Sequence, residues 1–353
     1  MIREGIEKLI DGNSLTIHES GEIMREVISG KATSSQTAAF LTALRMKGEA
    51  VEELIAFARV MRENSFQIHP HVQGRLVDTC GTGGDKLKTY NVSTAAAFVI
   101  AGAGVAVAKH GNRAVTSKSG SADVLEKLGL NLQLDPEQTK DVIEKVGIGF
   151  MFAPAFHPAM KYAAEPRREI GIRTVFNLLG PLTNPACANA QLLGVYDSKL
   201  TLPVAYALNR LGCEEAMVVH GVDGLDEIST VGRTSIACLK NGEVTELQVL
   251  PRDFGVKKAS INSLKVETPD ECAETLFRVL SGNLSLDDSK TEFALVNSAA
   301  GIIIGGKAED FKGAVEMARE SIRSGAAYAK LKALILASNG DMQKLEEYEC
   351  KYD

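Results

Sequence analysis

Two short polar clusters, Gly81-Thr82-Gly83-Gly84-Asp85 and Lys109-His110-Gly111-Asn112-Arg113, flank an apolar stretch, and Asn91-Val92-Ser93-Thr94 lies between them. Together they describe a site for a large anionic phosphate ester. Glycines let backbone N–H groups close on phosphate oxygens where a Cβ would clash. Asn91, Ser93 and Thr94 offer side-chain donors at an expected helix N-terminus, whose partial positive charge attracts anions. Lys109 and Arg113 add full charges, and Lys118-Ser119-Gly120-Ser121 adds a donor-rich turn before a helix at Asp123. Lys109 and Lys118 could neutralise a pyrophosphate. Lys86 stands where a dinucleotide fingerprint needs its third glycine, and no glycine precedes a Lys-Ser/Thr pair as in a Walker loop. Asp85 beside a phosphate is repulsive unless a metal or hydroxyl intervenes.

Asp223-Gly224-Leu225-Asp226-Glu227 follows an apolar run and supplies adjacent carboxylates. On a strand the neighbours would point to opposite faces, so a turn suits them, each carboxylate approaching a different ion. Mg²⁺ takes one or two carboxylates, several waters and substrate phosphates; a solvated acidic turn is the plain alternative. Arg167, Arg168 and Arg173 lie in a proline-punctuated segment, where an arginine can grip a carboxylate through two parallel hydrogen bonds or join an interhelical salt bridge. His18, His69, His71 and His220 read as structural or surface groups with no metal-ligand pairing.

Elements that would position these groups follow from periodicity. Val51, Leu54, Ile55, Ala58 and Met61 share one helical face, and the first seventy residues read as a run of helices. Gly30 and Gly48 suit helix stops, and Ser34 or Ser35 suits the cap of the helix carrying Phe40, Leu41 and Leu44. His69-Pro70-His71 marks a domain boundary. Beyond Arg75 the pattern is α/β: strands at Leu76-Val77, 105–108, 192–196, 216–219, 235–239 and 243–250, with helices from about Ser93 and near 199–211, 269–281, 289–304, 309–324 and 327–338. Asn241-Gly242 signals a hairpin. The expected fold class is therefore α/β, a large, mainly parallel sheet covered by helices, with one antiparallel hairpin at an edge, beside a small all-helical domain. Residues 1–70, completed by part of 157–190, would form the helical domain and wall a cleft; residues 71–353 would form the α/β domain.

Thirty-nine basic against 45 acidic residues give a net charge of −6, a poor balance for nucleic-acid binding. Six cysteines without a C-x-x-C pair suggest reduced thiols and a cytoplasmic setting. The first residues read as an amphipathic helix and not a signal peptide. The longest apolar run, Ala95 to Ala108, is too short to cross a bilayer.

With GTGGD at 81–85, NVST at 91–94, KHGNRAVTSKSGSAD at 109–123, FHP at 156–158, RREIGIRTVFNLLGPLTNP at 167–185 and DGLDEIS at 223–229, the chain closely resembles the anthranilate phosphoribosyltransferase family. The resemblance implies transfer of a phosphoribosyl group from 5-phosphoribosyl 1-diphosphate (PRPP) to anthranilate, releasing pyrophosphate, in tryptophan biosynthesis. It implies a nucleoside phosphorylase-like architecture, homodimeric through the helical domain. It assigns PRPP to Gly81, Thr82, Gly83, Gly84, Asp85, Thr89, Asn91, Val92, Ser93, Thr94, Lys109, Ser117 and Ser121. Two Mg²⁺ ions go to Ser93, Asp226 and Glu227. Anthranilate goes to Gly81, His110, Asn112, His157 and Arg167, with Lys109, His110, Asn112 and Arg167 nearest the chemistry. The family often has glycine after GTGGD, where this chain has Lys86-Leu87-Lys88, adding two cations near the pyrophosphate. A pyrimidine nucleoside phosphorylase, or a nucleic-acid-binding relative of the same fold, are the alternatives; Asn112-Arg113 and DGLDEIS weigh against the first, the charge against the second.

Overall fold

The computed structural model describes residues 1–83, 89–114 and 119–352. Four helices open the chain: α1 (Ile2–Ile10), α2 (Ile17–Ile28), α3 (Ser34–Lys47) and α4 (Val51–Glu63). Thr16 with Glu19, and Thr33 with Gln36, form reciprocal capping boxes on α2 and α3. The cap of α3 is thus Thr33 and not Ser34 or Ser35, because only Thr33 has the third-residue glutamine that returns the bond. Gly30 and Gly48 take positive φ where α2 and α3 end. A buried Lys47–Glu53 pair, with Leu15 N donating to the same carboxylate, ties the start of α2 to α4.

The α/β part then runs β1 (Leu76–Gly81), α5 (Val92–Gly102), β2 (Ala106–Gly111), α6 (Ser121–Lys127), α7 (Pro136–Val146) and β3 (Ile148–Phe152). Three helices follow, α8 (Ala153–Phe156), α9 (Lys161–Ile170) and α10 (Val175–Leu182). Next come β4 (Ala190–Gly194), α11 (Thr201–Arg210), β5 (Glu215–Gly221), β6 (Thr234–Lys240) and β7 (Glu243–Val249). The chain closes with α12 (Ile261–Leu264), α13 (Pro269–Leu280), α14 (Ser289–Ile304), α15 (Phe311–Arg323), α16 (Ala326–Ala337) and α17 (Met342–Tyr352).

The seven strands form one sheet in the order β3-β2-β1-β4-β5-β6-β7, with the first five parallel and β6 and β7 antiparallel at one edge. Asn241 and Gly242, both at positive φ, make the hairpin turn. One face of the sheet packs on α5, α13, α14, α15 and α16. Helix α5 is buried nearly all round, which its run of alanines and apolar residues allows. The other face shares a core with α11, the first four helices, and Ala163, Val175, Phe176, Leu178, Leu179 and Leu182 from α9 and α10.

Five elements differ most from the sequence reading. Strand β1 runs four residues further, to Gly81, and β2 three further, to Gly111, because β4 and β3 pair with them to that point. Strand β3, whose Ile-Gly-Phe-Met-Phe run is short and carries a glycine, was not expected, nor was α7 before it. The charged tail forms α17, whose Tyr348 and Tyr352 pack around Phe277 of α13.

Candidate active site

In a parallel sheet, ligands collect at the strands' carboxyl ends. Here β1, β4 and β5 reach that edge together, with Gly81 opposite Gly194 and Gly194 opposite Val219. Between β5 and β6 the chain makes an excursion over residues 222–233. Gly221 N donates to Leu225 O at 2.9 Å and Val222 N to Arg233 O at 2.8 Å, closing its base. Ser229 donates to the Asp223 carboxylate, and its oxygen accepts from Val231 N and Gly232 N.

This excursion brings Asp226 onto the end of β1. Its Oδ2 accepts from Gly83 N at 2.8 Å, and burial pushes its carboxyl above the ordinary range. The approach is so close that a Cβ on Gly81 would lie 2.4 Å from Asp226 Oδ2, and one on Gly194 would lie 1.4 Å from the Asp226 carbonyl oxygen. Gly81 was singled out from sequence; Gly194 was not, since one glycine at the end of an apolar run carries no signal of what crosses it. Asp226, Glu227 and Ser93 line one small cleft with Cys80, Gly194 and Asn297.

Thr82 braces the same edge: its N–H donates to Gly194 O at 2.9 Å, and its Oγ1 accepts from Tyr196 N at 3.1 Å. Thr89 bridges to Lys265. Asn91 caps α5 without a side-chain bond to it; its Nδ2 donates instead to Ser119 O at 3.2 Å, joining the two loops. That spends a donor the sequence reading offered to phosphate. Asn91 Oδ1 and Thr94 Oγ1 are buried without a hydrogen-bond partner among the described residues, and Val92 is fully buried.

The longer β2 draws Lys109 and His110 into the sheet. Lys109 is 3% exposed; its Nζ donates to Thr79 O at 2.5 Å and lies 3.3 Å from Ser93 Oγ. Burial lowers Lys109 and raises Asp78, and each charge opposes the other's shift. Asp78 accepts from His110 N at 3.3 Å and Gln191 Nε2 at 3.2 Å. The cation therefore acts from beneath the Ser93 end of α5.

Arg113 corrects the sequence reading. Its guanidinium is held by Asp123 at 3.1 Å and Glu126 at 2.6 Å, both on α6, so its charge is already compensated. Asp123 Oδ2 also accepts from Ala114 N and Gly120 N. Exposed Asn112 turns its Oδ1 to Arg113 N at 2.8 Å. Ser121 opens α6, close enough that a Cβ on Gly111 would lie 2.2 Å from its Oγ. Gly84, Asp85, Lys86, Lys88, Ser117 and Lys118 lie outside the described residues.

Of the five groups named for the second substrate, Arg167, His110 and His157 meet along α10, whereas Gly81 ends β1 and Asn112 is exposed beside Arg113. Arg167 stacks over Phe176, with its guanidinium carbon 5.1 Å from the ring centroid. Burial lowers its pKa, and no carboxylate among the described residues lies within ion-pair distance. The Gly180 carbonyl favours a proton on the His110 ring and the Thr183 carbonyl one on the His157 ring, each against the larger effect of burial. Positions 176, 180 and 183 follow the spacing of a single helical face. The two imidazoles are 5.0 Å apart, and each Nε2 is buried without a partner among the described residues. A neutral imidazole has one acceptor nitrogen, and in each ring Nε2 is the one left to accept from a ligand. Of the other arginines, Arg168 faces Glu165 at 4.0 Å on the surface, and Arg173 stacks on Tyr196.

Burial pushes His110 down to about 3 and His157 to about 4, from an ordinary 6.5. The unfolded chain then binds more protons between pH 6.5 and about 4. Stability present above pH 6.5 should thus fall with pH, by about 1.4 kcal/mol per pH unit for each histidine. Denaturant unfolding at pH 7.5, 6 and 5 should give a shallower decline for His157→Gln than for the wild type. Parallel declines would mean that His157 is not held neutral.

Residues 73–328 match the glycosyl transferase family a/b domain, and residues 3–65 its helical bundle domain. The chain is 51% identical over 340 residues to the anthranilate phosphoribosyltransferase of Methanocorpusculum labreanum, covering 96% of this chain and 99% of that one. The crystal structure of the Thermus thermophilus anthranilate phosphoribosyltransferase superposes with a TM-score of 0.88 at 41% identity, covering 95% of this chain and 99% of that one. The Saccharomyces cerevisiae enzyme in complex with PRPP and Mg gives 0.87 at 28% identity, over 96% and 98% of the two chains. Over its helical bundle, its sheet and nearly its whole length, the chain belongs to the anthranilate phosphoribosyltransferase family.

Proposed function

We infer that this protein transfers the 5-phosphoribosyl group of PRPP to the amine of anthranilate, giving N-(5-phosphoribosyl)anthranilate and pyrophosphate in tryptophan biosynthesis. The observation that carries the reading is the row along α10: an unpaired, half-buried guanidinium and two neutral imidazoles with bare Nε2 atoms. An aromatic acid with an adjacent amine matches both. Its carboxylate takes Arg167 through paired charge-assisted bonds, and its N–H donors find imidazole acceptors.

Ser93, Asp226 and Glu227 supply hard oxygens in one cleft. Among the described residues no group of three or more His, Cys, Asp or Glu side chains could hold a metal ion alone. That fits Mg²⁺, which takes few carboxylates and completes its shell with water and phosphate. Two ions, held by these three residues and by PRPP, would supply electrostatic stabilisation of the departing pyrophosphate. Gly81, Thr82, Gly83, Thr89, Asn91, Val92, Thr94 and Ser121, with Gly84, Asp85 and Ser117, complete the proposed PRPP site.

The amine nitrogen attacks the ribose C1 as the C1–O bond to pyrophosphate breaks, through an oxocarbenium-like state. Lys109, fixed under Ser93, favours negative charge at that end of the sheet. The histidines are too weakly basic to remove a proton early; they orient the amine, whose proton leaves after the bond forms. Gly81 and Asn112 complete the anthranilate side. We take residues 1–70 with part of 157–190 as a unit that closes on the α/β domain and excludes water, in a cytoplasmic homodimer joined through the helices. No helix among the described residues is long and apolar enough to cross a membrane.

Anthranilate fluorescence should fall when purified protein, PRPP and Mg²⁺ are combined, with the phosphoribosyl product found by mass. An unchanged signal from folded protein that binds PRPP would overturn the choice of anthranilate.

A further inference from the structure

The Gly83 N–H bond and the close packing on Gly194 hold Asp226 from the β1 and β4 side of the cleft. Glycines give the excursion room, and its base is closed by backbone bonds at residues 221–225 and 222–233. The carboxylates lie midway between those fixings, on the segment leading into Ile228. There a second fixing comes from the helical layer. Asn297 on α14, only 1% exposed, accepts from Ile228 N at 2.9 Å through Oδ1 and donates to Ile228 O at 3.0 Å through Nδ2. Its remaining N–H donates to Phe293 O at 2.9 Å, on its own helix. The side-chain amide therefore pairs with both backbone groups of one residue, as a neighbouring strand would, and all its bonds are short enough to be firm.

This clamp acts on the residue directly after Glu227, and Asn297 itself lines the cleft with Ser93, Asp226 and Glu227. Helix α14 is an unusually stable base for it. It is buried along almost its entire length and packs against α5, whose first turn carries Ser93. So close is that packing that a Cβ on Gly301 would lie 2.1 Å from Ile100 of α5. The excursion and the Ser93 end of α5 are thus referenced to the same helix. A buried polar side chain costs free energy unless its bonds are all made, and two of the three that Asn297 makes go to the excursion.

We propose that Asn297 is a positioning residue that sets the carboxylates of Asp226 and Glu227 for metal-dependent binding of the diphosphate substrate. The proposal rests on the reading of the cleft as a Mg²⁺ and PRPP site. Asn297→Asp keeps the size and the acceptor for Ile228 N but turns a carboxylate oxygen toward Ile228 O, so half of the clamp becomes repulsive. Asn297→Ala removes both bonds. Ser298→Ala is the control, since the Ser298 hydroxyl bonds to Ala294 O within the helix and not to the excursion.

The experiment is calorimetric titration of PRPP into each protein at a series of Mg²⁺ concentrations, with anthranilate KM measured alongside. Wild type and Ser298→Ala should share one Mg²⁺ midpoint. Asn297→Asp should move it at least tenfold higher while anthranilate KM stays within about twofold, and Asn297→Ala should do the same if it folds. Hydrogen exchange should rise over residues 222–233 in Asn297→Asp and not elsewhere. An unmoved midpoint in a folded Asn297 variant, or equal losses for both substrates, would overturn the proposal. If neither Asn297 variant folds, Asn297 is a folding residue first and the proposal fails. Wild-type protein that does not bind PRPP at any Mg²⁺ concentration would overturn the reading of the cleft itself, whatever Asn297 does.

Discussion

Gly194→Ala should cut kcat/KM by on the order of a hundredfold, the effect of misplacing a catalytic constellation by about an ångström. A methyl group there would overlap the Asp226 carbonyl oxygen, 1.4 Å away, and the atom met is backbone, which cannot rotate aside. Either β4 or the excursion must shift, at a stability cost of about 3 kcal/mol or more. Both partners of the collision belong to the proposed metal end of the site, so metal-dependent PRPP binding should suffer more than anthranilate binding. Gly21→Ala is the comparison: its Cβ would meet nothing nearer than 3.5 Å, inside α2, where alanine is the better helix former. Thermal unfolding and steady-state kinetics on the two variants settle the matter. A Gly194→Ala protein with wild-type kinetics would show that the excursion is adaptable and that its carboxylates are placed by something other than this packing.

Arg167→Ala should act on the opposite side of the site. Losing a charge-assisted carboxylate contact costs about 1.5–3 kcal/mol, or on the order of tenfold to a hundredfold in anthranilate KM. PRPP binding should stay within about twofold. Removing the guanidinium from Phe176 also forfeits about 0.5–1 kcal/mol of stacking, a small loss of stability next to the loss of function. Arg167→Lys should recover charge but not the paired geometry, and so only part of the affinity. If both substrates weaken together, or unfolding accounts for the loss, Arg167 serves the packing of α9 on α10 instead.

How far these groups could be read in advance depended on how local their signals were. The first four helices were legible because apolar spacing and glycine stops are short-range features, and Asn241-Gly242 fixed a hairpin for the same reason. Gly81 to Gly83 and Lys109 to Asn112 stood out by residue type. What each one touches did not, because contacts are set by partners far along the chain. Arg113 looked like a free cation until Asp123 and Glu126 came round on α6. Lys109 looked like a loop residue because the partner that extends its strand, β3, is a short segment with a glycine. Gly194 and Asn297 were invisible for a related reason: one is a gap and the other an amide, and each has meaning only beside the excursion it meets. The α17 helix was passed over because its charges mask the two tyrosines that bury it.

The central position of β1 governs when the protein can become active during its own synthesis. Its neighbours are β2 and β4, and pairing Val77 with Ala190 requires chain segments 113 residues apart to meet. Non-local parallel pairing of this kind is slow, since the intervening loop must be ordered before any contact rewards it. Gly81 cannot face Gly194, nor Gly83 bond Asp226, until the chain has emerged beyond residue 226. A nascent amino-terminal half therefore holds Gly81 to Gly83 of the proposed PRPP site without their platform, and on that reading substrate cannot help it fold. Ligand-assisted refolding should appear only in chains long enough to include the β5–β6 excursion.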